Sequence, residues 1–253
     1  MPIDPQVHFG YLLRLADSNL VLGHRLSEWI GRAPVIEEEL ALANIALDLI
    51  GQARALYAHA ARIGGGGRDA DALAFLRDQI DYRNLLIVEN KNRDFAHTIV
   101  RQFLYSAFAE LYWDALTASR DAELAGIAVK AVKECAYHVR HSAEWLIRLG
   151  DGTQESNNRA QKAVDELWMY TGEMFESDQI ERAVLDAGIG VIAIDLKPAW
   201  NETVEPVLMR ATLQRPKDGW MMSGGRSGRH TEHLGHMLAE MQFLQRAYPG
   251  QQW

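Results

Sequence analysis

A chain of 253 residues with 48% hydrophobic and 24% charged side chains has a globular composition and can bury a large core without disulfides or metal. Its 26 basic against 34 acidic residues leave a net charge of −8, which argues against the basic face of a nucleic-acid-binding protein. The lone Cys135 excludes an intrachain disulfide, no apolar run is long enough to span a membrane, and the start MPIDPQVHFG lacks a leader pattern, so the expected location is the cytoplasm.

Residues 5–31 carry Leu12, Leu15, Asn19, Leu22, Leu26 and Trp29 at steps of three and four, which predicts a long amphipathic helix stopped by Gly31 and Pro34. Glu37 to Ile63 predicts a second, rich in Ala and Leu, with three glutamates in its first turn and a four-glycine stop at 64–67. A short amphipathic stretch at 70–80 follows, and then NLLIVEN, an apolar run that reads as extended. From the N-cap Asp94 to Ser119 the sequence is apolar nearly all round, the mark of a helix buried between others. Asp121 to Leu149 predicts a fourth long helix, with a stripe through Leu124, Ile127, Ala131, Glu134, His138, Ser142 and Trp145.

Four such helices with one long and two short connections are the pattern of a four-helix bundle. The expectation is therefore an all-α protein of one domain, 1–253, with a core bundle at about 5–150 and a C-terminal helical extension at 151–253. In that extension 155–187 and 198–213 read as shorter helices, GIGVIAIDL as strand-like, and 214–229 as a Gly- and Arg-rich loop before a last amphipathic helix that Pro249 stops.

Long-helix bundles often house di-iron carboxylate centres, which take a Glu from each of two helices and Glu-x-x-His from each of the others. Here no Glu is followed by His three residues later. Asp94-x-x-His97 is the nearest approach, and N-capping already explains its Asp. Asp48, Glu134 and His138 remain as degenerate ligand positions or an acid/base pair; the alternative is an internal polar network in which Glu134 meets a cation such as Arg101. Asn19 is read in the same way, as a former ligand position or a register-fixing polar residue. His230, His233, His236 and Glu240 crowd the start of the last helix, as a metal site or as surface imidazoles, and Cys135 reads as an inert core thiol. The 214–229 loop sets Arg215, Lys217, Arg226 and Arg229 against the single acid Asp218, a balance of 4 − 1 = +3 in an acidic chain. Its glycines and the helix that follows suit an anion, whether an acidic partner surface or the phosphates of a CoA thioester; the alternative is a solvated loop.

Four stretches carry a resemblance: ELALANIALDLIGQARALY (39–57), FLRDQIDYRNLLIVENKNRDFAHTIVRQF (75–103), KAVKECAYHVRHSAEWLIRLGDGT (130–153) and GRSGRHTEHLGHMLAEMQFLQRAYPGQQW (225–253). In these the chain resembles the structural C subunits of the bacterial ring 1,2-phenylacetyl-CoA epoxidase. The resemblance implies a ferritin-like fold that has lost its metal ligands, binds no cofactor itself, and pairs with a homologous catalytic subunit holding the di-iron centre. It further implies a reductase among the components, in aerobic breakdown of phenylacetate. Two other readings stay open on the residues alone: a di-metal oxygenase using Asp48, Glu134 and His138, and a free-standing helical binding protein.

Overall fold

The computed structural model describes residues 3–251, and every regular element in them is helical. Four long helices make the bundle: α1 (Pro5–Ser27), α2 (Ile36–Gly64), and, after two short helices α3 (Ala70–Phe75) and α4 (Leu86–Glu89), α5 (Phe95–Leu116) and α6 (Ala122–Gly150). The starts follow from capping. Asp4 accepts the Gln6 N–H with Pro5 at the first position, Asp94 accepts the His97 N–H at 2.8 Å, and Asp121 accepts from Glu123 and Leu124. α1 pairs with α2 and α5 with α6 as antiparallel hairpins. Gly23 permits the first of these: a Cβ there would sit 2.8 Å from Ile50 and 3.2 Å from the Ala46 carbonyl.

The chain reverses between α1 and α2 and again between α5 and α6, whereas 65–94 must travel the length of the bundle. That long crossover makes α5 run parallel to α2. It also brings the start of α1, the end of α2 and the start of α6 to one end of the molecule, where His8 and His59 meet Asp121.

The extension holds α7 (Gln154–Trp168), α8 (Gln179–Asp186), α9 (Lys197–Arg210), α10 (Glu232–Met241) and α11 (Phe243–Ala247). α7 and α9 lie against α5, which explains why α5 is apolar all round. Trp200 on α9 is buried and donates its indole N–H to the Leu104 carbonyl at 3.0 Å, while Trp168 and Phe175 pack on its ring. Close approach requires glycine once more: a Cβ on Gly150 would overlap the Ala211 carbonyl oxygen at 1.9 Å. No helix among the described residues is long and apolar enough to cross a membrane.

The structure departs from the sequence-based expectation in several places. NLLIVEN is not extended: it contains α4, whose residues are all buried. Short apolar runs look alike as buried strand or buried helix, and here the Asn90 side chain decides by donating to the Leu86 carbonyl at 3.0 Å. GIGVIAIDL is not a strand either. Gly188 takes φ +72°, Ile189 and Gly190 both donate to the Val184 carbonyl, and a 3-10 turn at Ala193–Leu196 follows. The predicted helix at 155–187 breaks into α7, a 3-10 turn at Gly172–Phe175 and α8, and the last helix breaks into α10 and α11. α1 ends at Ser27 and passes through turns to Gly31, which has φ +78°.

Candidate functional site

Asp48 and Gln52 on α2 face Glu134 and His138 on α6 across one seam of the bundle. They form two separate pairs. Gln52 Nε2 donates to Glu134 Oε2 at 2.8 Å, and His138 Nε2 lies 3.1 Å from Asp48 Oδ2. Glu134 Oε1 also meets Lys130 Nζ at 3.2 Å, one helical turn back. His138 is fully buried, its Nδ1 without a hydrogen-bond partner, whereas the Asp48 side chain is 34% exposed. Beside them the Cys135 thiol is buried, and desolvation, then the nearby Glu134, push its pKa up, which makes it inert.

The opposite seam, between α1 and α5, carries amides and hydroxyls. Tyr105 donates to Asn19 Oδ1 at 3.0 Å, and Gln102 Nε2 donates to Ser106 Oγ at 2.8 Å. A di-iron centre needs several carboxylates converging from both halves of the bundle. Here Asp48 and Glu134 are each closed by a neighbour, Glu110 on α5 is only half-buried, and Asp48, Glu134 and His138 do not gather their donor atoms at one point. The residues present do not fit a di-iron carboxylate centre.

Arg101 is not the partner of Glu134. It is fully buried on α5, and its guanidinium donates to the Asn90 carbonyl and, at 2.8 Å, to Asn92 Oδ1, holding the end of the long crossover. Between α1, α5 and α8 lies a cavity of about 30 Å³, lined by Tyr11, Asn19, Tyr105, Tyr112, Glu181 and Arg226 among others. That is room for ordered water, far below the roughly 300 Å³ at which ligand pockets begin.

The basic loop divides into engaged and exposed cations. Arg226 reaches back to Glu181 Oε1 at 2.6 Å and to the Glu176 carbonyl at 2.7 Å, and its side chain is largely buried. Arg215 stacks over the Trp168 ring and pairs with Glu205 and Asp218. Lys217 and Arg229 are exposed. Arg226 and Arg229 border a surface cleft of about 190 Å³ together with Glu173, Glu176 and Asp178, so the acids there offset the cations toward an anionic ligand.

The histidines of the last helix do not converge. The His230 side chain is buried between Glu89 Oε2 and the Tyr82 carbonyl, both at 3.0 Å, His233 is half-buried, and His236 and Glu240 are exposed. Among the described residues, the trio of metal-capable atoms within 4.8 Å of one another is His8, His59 and Asp121. No local spacing signals it, because each residue comes from a different helix. The available signal is topological: an antiparallel pair followed by a crossover puts those three helix ends together.

The sequence model of a family described as phenylacetic acid catabolic protein matches residues 3–253. The C subunit of the 1,2-phenylacetyl-CoA epoxidase of Escherichia coli (strain K12) is 49% identical over 244 residues, covering 96% of this chain and 98% of its own.

Proposed function

The chain belongs to the phenylacetic acid catabolic protein family, and on that premise we propose that it is a non-catalytic structural subunit of a phenylacetyl-CoA ring epoxidase. In this reading it pairs with a homologous subunit that carries the di-iron centre, and a reductase supplies electrons to that partner. The observation that carries the reading is the α2/α6 seam: Asp48 and Glu134 do not converge there and are closed separately, by His138 and by Gln52 with Lys130.

The outer face of the same seam supports a partner. α2 exposes Ile36, Leu40 and Leu47 at 62%, 59% and 66%, and α6 exposes Val129 at 50% and Tyr137 at 36%. Apolar side chains repeated along one exposed helix face are the composition of an interface. Any CoA phosphate that this chain touches would be met by the exposed Lys217 and Arg229, since Arg215 and Arg226 are already engaged.

Co-expression with a candidate di-iron subunit, followed by size exclusion and iron analysis, tests the role. The expected result is a stable hetero-oligomer whose iron follows the partner, with epoxidation only when both subunits and the reductase are present. Turnover of phenylacetyl-CoA by this chain and the reductase alone would refute the structural role. For the loop, charge reversal at Lys217 and Arg229 should weaken partner or CoA-thioester binding most at low salt, where exposed charges are least screened. Unchanged affinities would leave the loop as solvated surface.

A further inference from the structure

Where α1 begins, α2 ends and α6 begins, His8 Nε2 and His59 Nε2 face the same oxygen, Asp121 Oδ2, at 2.9 and 2.5 Å. The rings stand edge to face, 5.8 Å between centroids. The three side chains are only 9%, 10% and 9% exposed. The other carboxylate oxygen is committed to capping α6, accepting the Glu123 and Leu124 N–H groups.

On the far side of its ring, His59 Nδ1 lies 3.1 Å from Glu123 Oε2, and Glu123 is itself paired with Arg62. A neutral imidazole has one N–H and one lone pair. His59 faces a carboxylate oxygen at each nitrogen, so without a further cation one lone pair would point at an anion. His8 adds to the same problem: its buried Nε2 is aimed into the cluster but is not aligned for a hydrogen bond there. An added positive charge resolves both conflicts.

We propose that His8, His59 and Asp121 form a binding site for a divalent metal ion of the Zn²⁺ class, clamping the ends of α1, α2 and α6. Two imidazole nitrogens and one carboxylate oxygen match a borderline cation and not Mg²⁺ or Ca²⁺, which prefer all-oxygen shells. Glu123 beside His59 Nδ1 matches the outer carboxylate that fixes tautomer and ring orientation in metal–histidine sites. Zinc bonds of about 2.0–2.2 Å in tetrahedral array place ligand atoms roughly 3.3 Å apart, so the two rings open by less than about 1 Å on loading. The site lies away from the bundle centre and does not depend on the chain's role in an epoxidase.

The test uses the full chain, stripped with a chelator and titrated with Zn²⁺ by calorimetry, and with Co²⁺ by visible spectroscopy. One ion per chain at micromolar affinity or better is expected, with the d–d bands of a tetrahedral Co²⁺ site and a melting temperature that rises with Zn²⁺ concentration. His8→Ala with His59→Ala should weaken binding by about 100-fold or more, while His236→Ala, an exposed histidine elsewhere, should not. Binding only at millimolar Zn²⁺, or equal affinity in the double variant, would overturn the site and leave a proton-bridged histidine–aspartate network. If the double variant fails to fold, ring-nitrogen NMR of the unaltered chain decides: His8 and His59 resonances must move at one equivalent of Zn²⁺, and resonances that stay put overturn the proposal.

Discussion

Asp17 on α1 and Glu134 on α6 both project from long bundle helices, yet they are treated in opposite ways. Asp17 is fully buried and accepts from the Tyr57 hydroxyl, from two Arg77 nitrogens and, at 2.7 Å, from the Arg83 N–H. Glu134 has one amide partner and one lysine that is itself 74% exposed. Two further buried acids behave as Asp17 does. Glu89 accepts the Thr231 N–H and Asn84, and Glu173 accepts the N–H groups of Leu86, Gly224 and Gly225. Irregular backbone buried against a bundle must find acceptors outside any helix, and carboxylates supply them. Charge is thus buried where the crossover and the extension are fastened, not where a metal centre would lie.

Removing Asp17 is the severest way to break this contrast. Asp17→Ala strands Arg77, whose guanidinium is 3% exposed between the Tyr57 and Tyr82 rings, and should cost about 3–5 kcal/mol by denaturant titration. A cost under about 1 kcal/mol would show that the crossover is held by apolar packing alone. Arg226→Ala comes next, at about 2–3 kcal/mol, because it leaves the buried Glu181 unpaired. Burial already raises the Glu181 carboxyl and Arg226 lowers it, so the variant's carboxyl climbs further. A carboxyl whose folded pKa exceeds its unfolded one costs stability as pH rises through that window. The loss should accordingly be larger at pH 8 than at pH 5, and a pH-independent loss would point to packing instead.

These networks also mark what the sequence cannot display. Periodicity locates the four long helices, the all-round burial of α5, the Asp94 cap and the polar residues of the α2/α6 seam, because each depends on one element's own spacing. It fails for 84–90 and 188–196, where the deciding bonds come from Asn90 and from the glycine turn after α8. Pairing Glu134 with Arg101 fails because a stripe shows that a group is buried and not which segment meets it; Arg101 turns to the crossover. The same limit hides Arg226 as an internal cation, since Glu181 lies on α8, a helix that periodicity alone fuses with its neighbour.

His97, near the start of α5, sharpens the contrast through pH. Burial, then Arg101 and Arg93, lower its pKa to about 3, against about 6.5 in the unfolded chain. Below pH 6.5 the unfolded state therefore binds the extra proton, and stability falls as pH drops from 6.5 toward 3, by on the order of 1 kcal/mol per pH unit. His97→Gln should flatten that slope by about one proton, read from denaturation midpoints between pH 4 and 7. An unaltered slope would assign acid sensitivity to other groups.

The smallest effect should come from the bundle centre. Glu134→Ala removes an i,i+4 pair with an exposed lysine, worth about 0.3–0.5 kcal/mol, and leaves Gln52 Nε2 short of an acceptor, at about 1 kcal/mol. Glu134→Gln keeps an acceptor for Gln52 and should be within about 0.5 kcal/mol of the parent, since no buried cation depends on the charge. The two variants together separate charge from hydrogen bonding: a loss in the alanine variant alone is the signature of the Gln52 bond. A loss of about 3–5 kcal/mol in both would instead make Glu134 an organising charge like Asp17. The α2/α6 seam would then be a built ionic centre, and the case for a bundle core that has relinquished metal chemistry would lose its main support.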